Sequence, residues 1–199
     1  MATPTNGGSR NHASAFRGCT VTDLVYTIGH STHPAEKLIH LLVGHAVTAV
    51  ADVRSQPYSR FNPQFNRENL PTDLKVAGIS YVFLGRELGA RPENRSCYVQ
   101  GKIRYDLLAR TVLFQEGLTR VAQGISNHRV ALLCAEKDPL TCHRAILVCR
   151  HLAEIGITER DLFRSRDELV VEAYSRRGDQ IAYAETEPSS SGLVRGRQQ

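Results

Sequence analysis

The sequence predicts an α/β fold, a three-layer, Rossmann-like parallel sheet with helices on both faces. Two observations carry this. Short β-rich apolar runs alternate with longer stretches of helical period, and the runs are apolar at successive positions, as strands covered on both faces are. A third concerns size: 199 residues suffice for one such core. Right-handed crossovers are expected between the strands.

Taken in order, "LVYTI" (24–28) reads as a buried strand stopped by Gly29. In "STHPAEKLIHLLVGH" Pro34 suits a first helical turn, Glu36 the positive N-terminal end and Gly44 the stop. "VTAVADV" (47–53) is a second strand. Residues 67–77 read as a helix closed by Gly78, and "SYVFL" (80–84) as a third strand. A long connection, 85–104, precedes one helical pattern over 105–122. "RVALLC" (129–134) is the most apolar strand, and Thr141 suits the N-cap of a helix over 142–154. A fifth strand is expected within 161–164 and a last helix within 167–174. The expected sheet order is 3-2-1-4-5, with a single domain over residues 23–176 and disordered polar tails over 1–22 and 177–199.

Apolar residues make up 41% and charged residues 23%, the balance expected of a soluble globular protein. No run has membrane-spanning length and none follows the signal-peptide plan, so a cytoplasmic location is expected. Five cysteines, an odd number lying mostly beside apolar runs, point to reduced thiols or metal ligands rather than a disulfide framework. The net charge of +5 favours anionic partners.

A sheet of this kind binds ligands outside the C-terminal strand ends. Three of those ends are polar: Gly29-His30-Ser31, Asp52-Val53-Arg54 and Cys134-Ala135-Glu136-Lys137-Asp138. They are expected to face one pocket. Asp52 and Glu136 are candidate acid/base groups, and Cys134 and Cys142 candidate nucleophiles or thiol switches, with a plain core role for Cys134, Cys142 and Cys149 as the competing reading. A helix beginning at Cys142 would lower that thiol's pKa. His30, Ser31, Lys137, His143 and Arg144 are candidate substrate contacts. The pairing of Asp52 with Arg54 or Arg144 is the competing structural role.

The loop "RSQPYSRFNPQFNR" (54–67) carries three arginines and three aromatic rings without an acidic residue. Arg54 and Arg60 supply charge, Tyr58, Phe61 and Phe65 flat faces, and Asn62 an amide. That set matches a phosphate joined to a planar ring. In the competing role, Phe61 and Phe65 are core anchors. The 85–104 segment reads as a basic lid or a mobile connection.

The motifs "TIGHS", "DVRSQP", "NPQF" and "CAEKDPLTCHR" resemble those of a bacterial and archaeal group, domain-of-unknown-function family 488, over about residues 24–155. The resemblance implies an α/β fold and functional weight on these clusters, but no reaction. The residues themselves point to an enzyme of hydrolytic or transfer type acting on a nucleotide or nucleic-acid component. Hydride transfer is disfavoured, since "GHSTHP" after the first strand lacks a glycine-rich dinucleotide fingerprint. The alternatives are a nucleic-acid-binding or regulatory module and a zinc-binding domain. Cys134, Cys142, His143 and His30 together offer zinc-type donors, but paired C-x-x-C knuckles are absent and adjacent helical residues diverge by about 100°, so no metal ligand set is assigned. The partner expected is an anionic small molecule or a nucleic acid, not a membrane; no cofactor or oligomeric state is read from the sequence.

Overall fold

The computed structural model describes residues 24–162. In chain order the elements are β1 (Leu24–Gly29), α1 (Ala35–Gly44), β2 (Ala49–Asp52), α2 (Leu70–Val76), β3 (Ser80–Phe83), α3 (Gly85–Leu88), β4 (Tyr98–Val99), β5 (Lys102–Ile103), α4 (Tyr105–Ala109), α5 (Val112–Ile125), β6 (Val130–Cys134), α6 (Arg150–Glu154) and β7 (Thr158–Asp161). Short 3₁₀ turns lie at Pro63–Phe65, Arg95–Cys97 and Pro139–Thr141, and a π-helical stretch, Arg144–Cys149, runs directly into α6.

The main sheet is parallel, with order β3-β2-β6-β1-β7. The expected order is therefore corrected: β6 stands between β2 and β1. Its five residues, Val-Ala-Leu-Leu-Cys, are all buried, which suits the strand with neighbours on both edges. The edge strands β3 and β7 instead alternate between more and less exposed positions. Successive strand residues feed opposite layers. Val25, Ala51 and Leu132 pack with Phe114, Leu118 and Leu147 on one face; Tyr26, Val50 and Leu133 pack with Leu38, Leu42 and Leu74 on the other. The result is the three-layer α/β fold.

Several boundaries move for local reasons. The helix expected over 105–122 breaks at Thr111, whose hydroxyl donates to Leu108 O and accepts from Phe114 N, ending α4 and capping α5. Residues 85–104 are built rather than a bare connection. Within them, β4 and β5 form an antiparallel hairpin turned by Gln100 and Gly101, at φ 50° and 75°. Gly85 lets this segment close on the arginine-rich loop, because a Cβ there would stand 2.0 Å from Arg54 O. The last strand begins three residues earlier than expected, at Thr158. The helix expected over 167–174 and both tails lie outside the described residues.

Candidate functional site

In the expected and the observed order alike, the three strands with polar ends are consecutive; the observed one places β6 in the middle, flanked by β1 and β2. The chain leaving β1 stays paired with the chain leaving β6: His30 N donates to Cys134 O at 3.0 Å and Ser31 N to Ala135 O at 2.9 Å. Only glycine fits before them, because a Cβ on Gly29 would lie 1.7 Å from Glu136 O. Ser31 adopts φ 49°, an uncommon left-handed conformation for a non-glycine residue. It turns the Ser31 carbonyl toward His30 Nδ1, 2.8 Å away.

One cluster forms around Asp52, which is fully buried. Its Oδ1 accepts from the Arg54 backbone N–H (3.1 Å) and Nε (2.8 Å), and its Oδ2 from Arg54 Nη2 (2.6 Å) and the Tyr81 hydroxyl (2.7 Å). These four donors use the acceptor capacity of a carboxylate. Burial and the charge of Asp52 push the Tyr81 hydroxyl pKa up, which keeps it a donor. Arg54 also donates from Nη2 to Phe65 O (2.9 Å) and from Nη1 to His30 Nε2 (3.1 Å). A guanidinium cannot accept, so Nε2 is the acceptor and the ring proton sits on Nδ1, facing Ser31 O. His30 is thus neutral. Burial lowers its pKa to about 4. Its ring stacks on Phe65 at 4.3 Å between centroids.

A second cluster forms at the end of β6. Cys134 Sγ lies 2.7 Å and Cys142 Sγ 3.2 Å from Glu136 Oε2, while His143 Nδ1 lies 3.7 Å and 3.9 Å from the two sulfurs. His143 Nε2 meets Val53 O at 3.0 Å, an acceptor, so Nε2–H donates and Nδ1 faces the thiols. The side-chain donor atoms of these four residues all lie within 4.8 Å of one another. Cys134, Cys142 and His143 are buried; the Glu136 residue is exposed.

The thiols divide unequally. A hydrogen bond from Cys142, with further help from His143, pushes the Cys134 pKa down to about 6. The same bond, together with burial, pushes Cys142 well up. The expectation of a lowered Cys142 is therefore reversed. A helix does begin there, since Cys142 O accepts from Ile146 N at 3.0 Å and His143 precedes the π-helical stretch that runs into α6, but Thr141 donates its hydroxyl to Asp138 O rather than capping it. Burial opposes charge on both Glu136 and His143. Bonds from Cys134 and Cys142 nonetheless leave Glu136 below its ordinary range, and the bond to Cys134 leaves His143 above its own.

Arg144 is fully buried and serves the fold instead of presenting a free charge. It donates to Glu136 O at 2.7 Å and pairs with Asp161 at 3.0 Å, and Thr27 also donates to Asp161 at 2.8 Å. Arg54 is likewise committed to Asp52, so two of the three arginines expected at substrate, Arg54 and Arg144, are corrected to positioning roles, and Arg60 stays exposed. Phe65 is fully buried, whereas Tyr58 and Phe61 are 69% and 76% exposed, so the core-anchor role applies only to Phe65. The Arg60 guanidinium lies over the Phe61 ring at 4.6 Å. Asn62 bonds through its backbone to Ser59 and Phe65, and Lys137 is exposed on the β6 loop. Sequence reading missed Tyr81, Asp161 and Tyr105. Burial, then the charges of Cys142, Glu136 and Cys134, raise the Tyr105 pKa, which places this residue beside the second cluster. No local motif marks it, since it only opens a helix after a basic segment.

Residues 34–151 match the family model described as Domain of unknown function DUF488. The chain belongs to the DUF488 family. The match contains Asp52, Arg54 and the whole second cluster; His30 and Ser31 precede it. Searches of curated proteins and of solved structures return no match. Among the described residues no helix is long and apolar enough to cross a membrane.

Proposed function

We propose that this DUF488 chain is an enzyme of hydrolytic or group-transfer type, with its reacting centre at Cys134, Glu136, Cys142 and His143. One observation carries this reading: four reactive heteroatoms within 4.8 Å of one another at the end of the central strand, one of them on an exposed residue. Such proximity of nucleophile, base and orienting group is what hydrolysis and transfer require. Of the two carboxylates expected to act as acid/base groups, Glu136 keeps the role and Asp52 does not, because a carboxylate that already accepts four donors has no lone pair left for a substrate proton.

The substrate class is an anionic, ring-bearing molecule, a nucleotide or nucleic-acid component. Exposed Arg60, Phe61 and Tyr58, together with the basic net charge, support it. The same exposed rings favour a second reading, a nucleic-acid-binding module without turnover. Both are tested by incubating the purified chain with nucleosides, nucleoside phosphates and single-stranded oligonucleotides, with products read by chromatography. Turnover lost in Glu136→Gln at an unchanged melting temperature supports the enzyme. Oligonucleotide binding weakened by Phe61→Ala, with no turnover of any compound, supports the module instead.

A further inference from the structure

We propose that Cys134, Glu136, Cys142 and His143 form a binding site for one zinc-class divalent cation. This deepens the reading above, since it names the cofactor of the same cluster. Two thiols, an imidazole and a carboxylate are the donor types that zinc takes, and the sulfurs disfavour magnesium and calcium. Tetrahedral zinc with ordinary bond lengths separates sulfur from nitrogen or oxygen donors by about 3.5–3.6 Å. The sulfur–nitrogen separations, 3.7 Å and 3.9 Å, are close to that. The sulfur–oxygen separations, 2.7 Å and 3.2 Å, are shorter, and they involve the one exposed residue, whose side chain has room to withdraw.

The surroundings fit as well. Val53 O holds His143 Nε2–H, which aims Nδ1 inward, as an outer-shell carbonyl does for a metal-bound histidine. Arg144 fixes the β6 loop through Glu136 O and Asp161, and its Nη1 stands 3.7 Å from Cys142 Sγ, where it offsets negative charge. Three donors that can be anionic repel one another at these distances, and a divalent cation reverses that repulsion. Glu136 supplies both an entry side and a ligand that a substrate or water can replace.

The test uses the full chain, reduced and stripped of metal with a chelator. Zinc is titrated against a chromogenic competitor, and cobalt(II) uptake is read by absorption. One equivalent per chain is expected, with thiolate-to-cobalt charge-transfer bands. Cys134→Ser and His143→Ala should each weaken zinc binding by more than about 100-fold, beyond the 10–100-fold cost of losing an outer-shell partner. Cys97→Ser, in the core away from the cluster, should leave uptake unchanged. Zinc-edge X-ray absorption of the wild-type chain needs no variant and should show sulfur neighbours together with nitrogen or oxygen. Absent charge-transfer bands, uptake unchanged in Cys134→Ser, or an edge with no sulfur neighbour would overturn the site. Turnover by a chain that takes up no zinc sinks the metal and keeps the reaction. Zinc held by a chain that turns over nothing does the reverse.

Discussion

The two polar clusters at the strand ends differ in what their heteroatoms have left to do. Around Asp52, every carboxylate acceptor site is filled, the arginine donates to three neighbouring residues and the histidine is held neutral between two partners. At the end of β6, the thiols and the carboxylate bond mainly to one another, and their proton distribution is uneven. A saturated network rigidifies a fold, whereas an internally bonded one keeps reactive groups that a ligand can claim. Saturation is what separates the two clusters.

That contrast is sharpened or broken by a graded set of changes. The largest effect is expected for Arg54→Ala, which strands the buried Asp52 carboxylate and should cost about 3–5 kcal/mol in chemical denaturation. A loss below about 1 kcal/mol would mean that the Asp52 cluster is not a scaffold.

Next come two buried groups that titrate in opposite senses. His30 has a folded pKa near 4 against 6.5, so between those values the unfolded chain binds a proton that the folded chain refuses. Its contribution is present above pH 6.5 and is lost as pH falls to 4. Glu159, buried on β7, is raised by burial from 4.5 to about 7, so its contribution is lost as pH rises between those values. Each is worth on the order of 3 kcal/mol and the two nearly cancel. Glu159→Gln should therefore make stability climb with pH across this window, and His30→Gln should make it fall. Identical pH profiles for the two variants would contradict both assignments.

A smaller effect is expected at the exposed loop. Phe61→Ala should weaken oligonucleotide or nucleotide binding by about 1–3 kcal/mol, the value of one stacked base, and leave the melting temperature in place. If the melting temperature drops and binding does not, Phe61 is an anchor like Phe65. The stability effect of Glu136→Gln is likewise expected to be small, within about 1 kcal/mol, because its residue is exposed; a larger loss would make the second cluster part of the scaffold.

Much of this was legible in the residues. The unbroken apolar run Val130–Cys134 announces a central strand, and the polar residues after β1, β2 and β6 mark the ligand end of the sheet. The strand order was not legible, because no local pattern says which strand fills the gap between β1 and β2. Cys142 and His143 were legible as donors beside Cys134 and His30, although α-helical divergence of adjacent side chains argued against one site; in the structure their donor atoms lie 3.9 Å apart, and Glu136 rather than His30 completes the group. Phe61 and Phe65 look alike in sequence. Phe65 closes the Pro63–Phe65 turn under His30, and that is decided by tertiary packing. Arg54 reads as a ligand-binding cation until Asp52, two residues earlier, takes its guanidinium from both sides.

The central claim is that Cys134, at the end of β6, is chemically distinct from the cysteines of the core. Mass-spectrometric mapping of alkylation on the native, chelator-treated chain at neutral pH tests it directly. Cys134, with a pKa lowered to about 6, should label first, and Cys149, whose thiol burial pushes far up, should label last. Added zinc should protect Cys134. Equal labelling of Cys134 and Cys149, unaffected by zinc, would contradict the account.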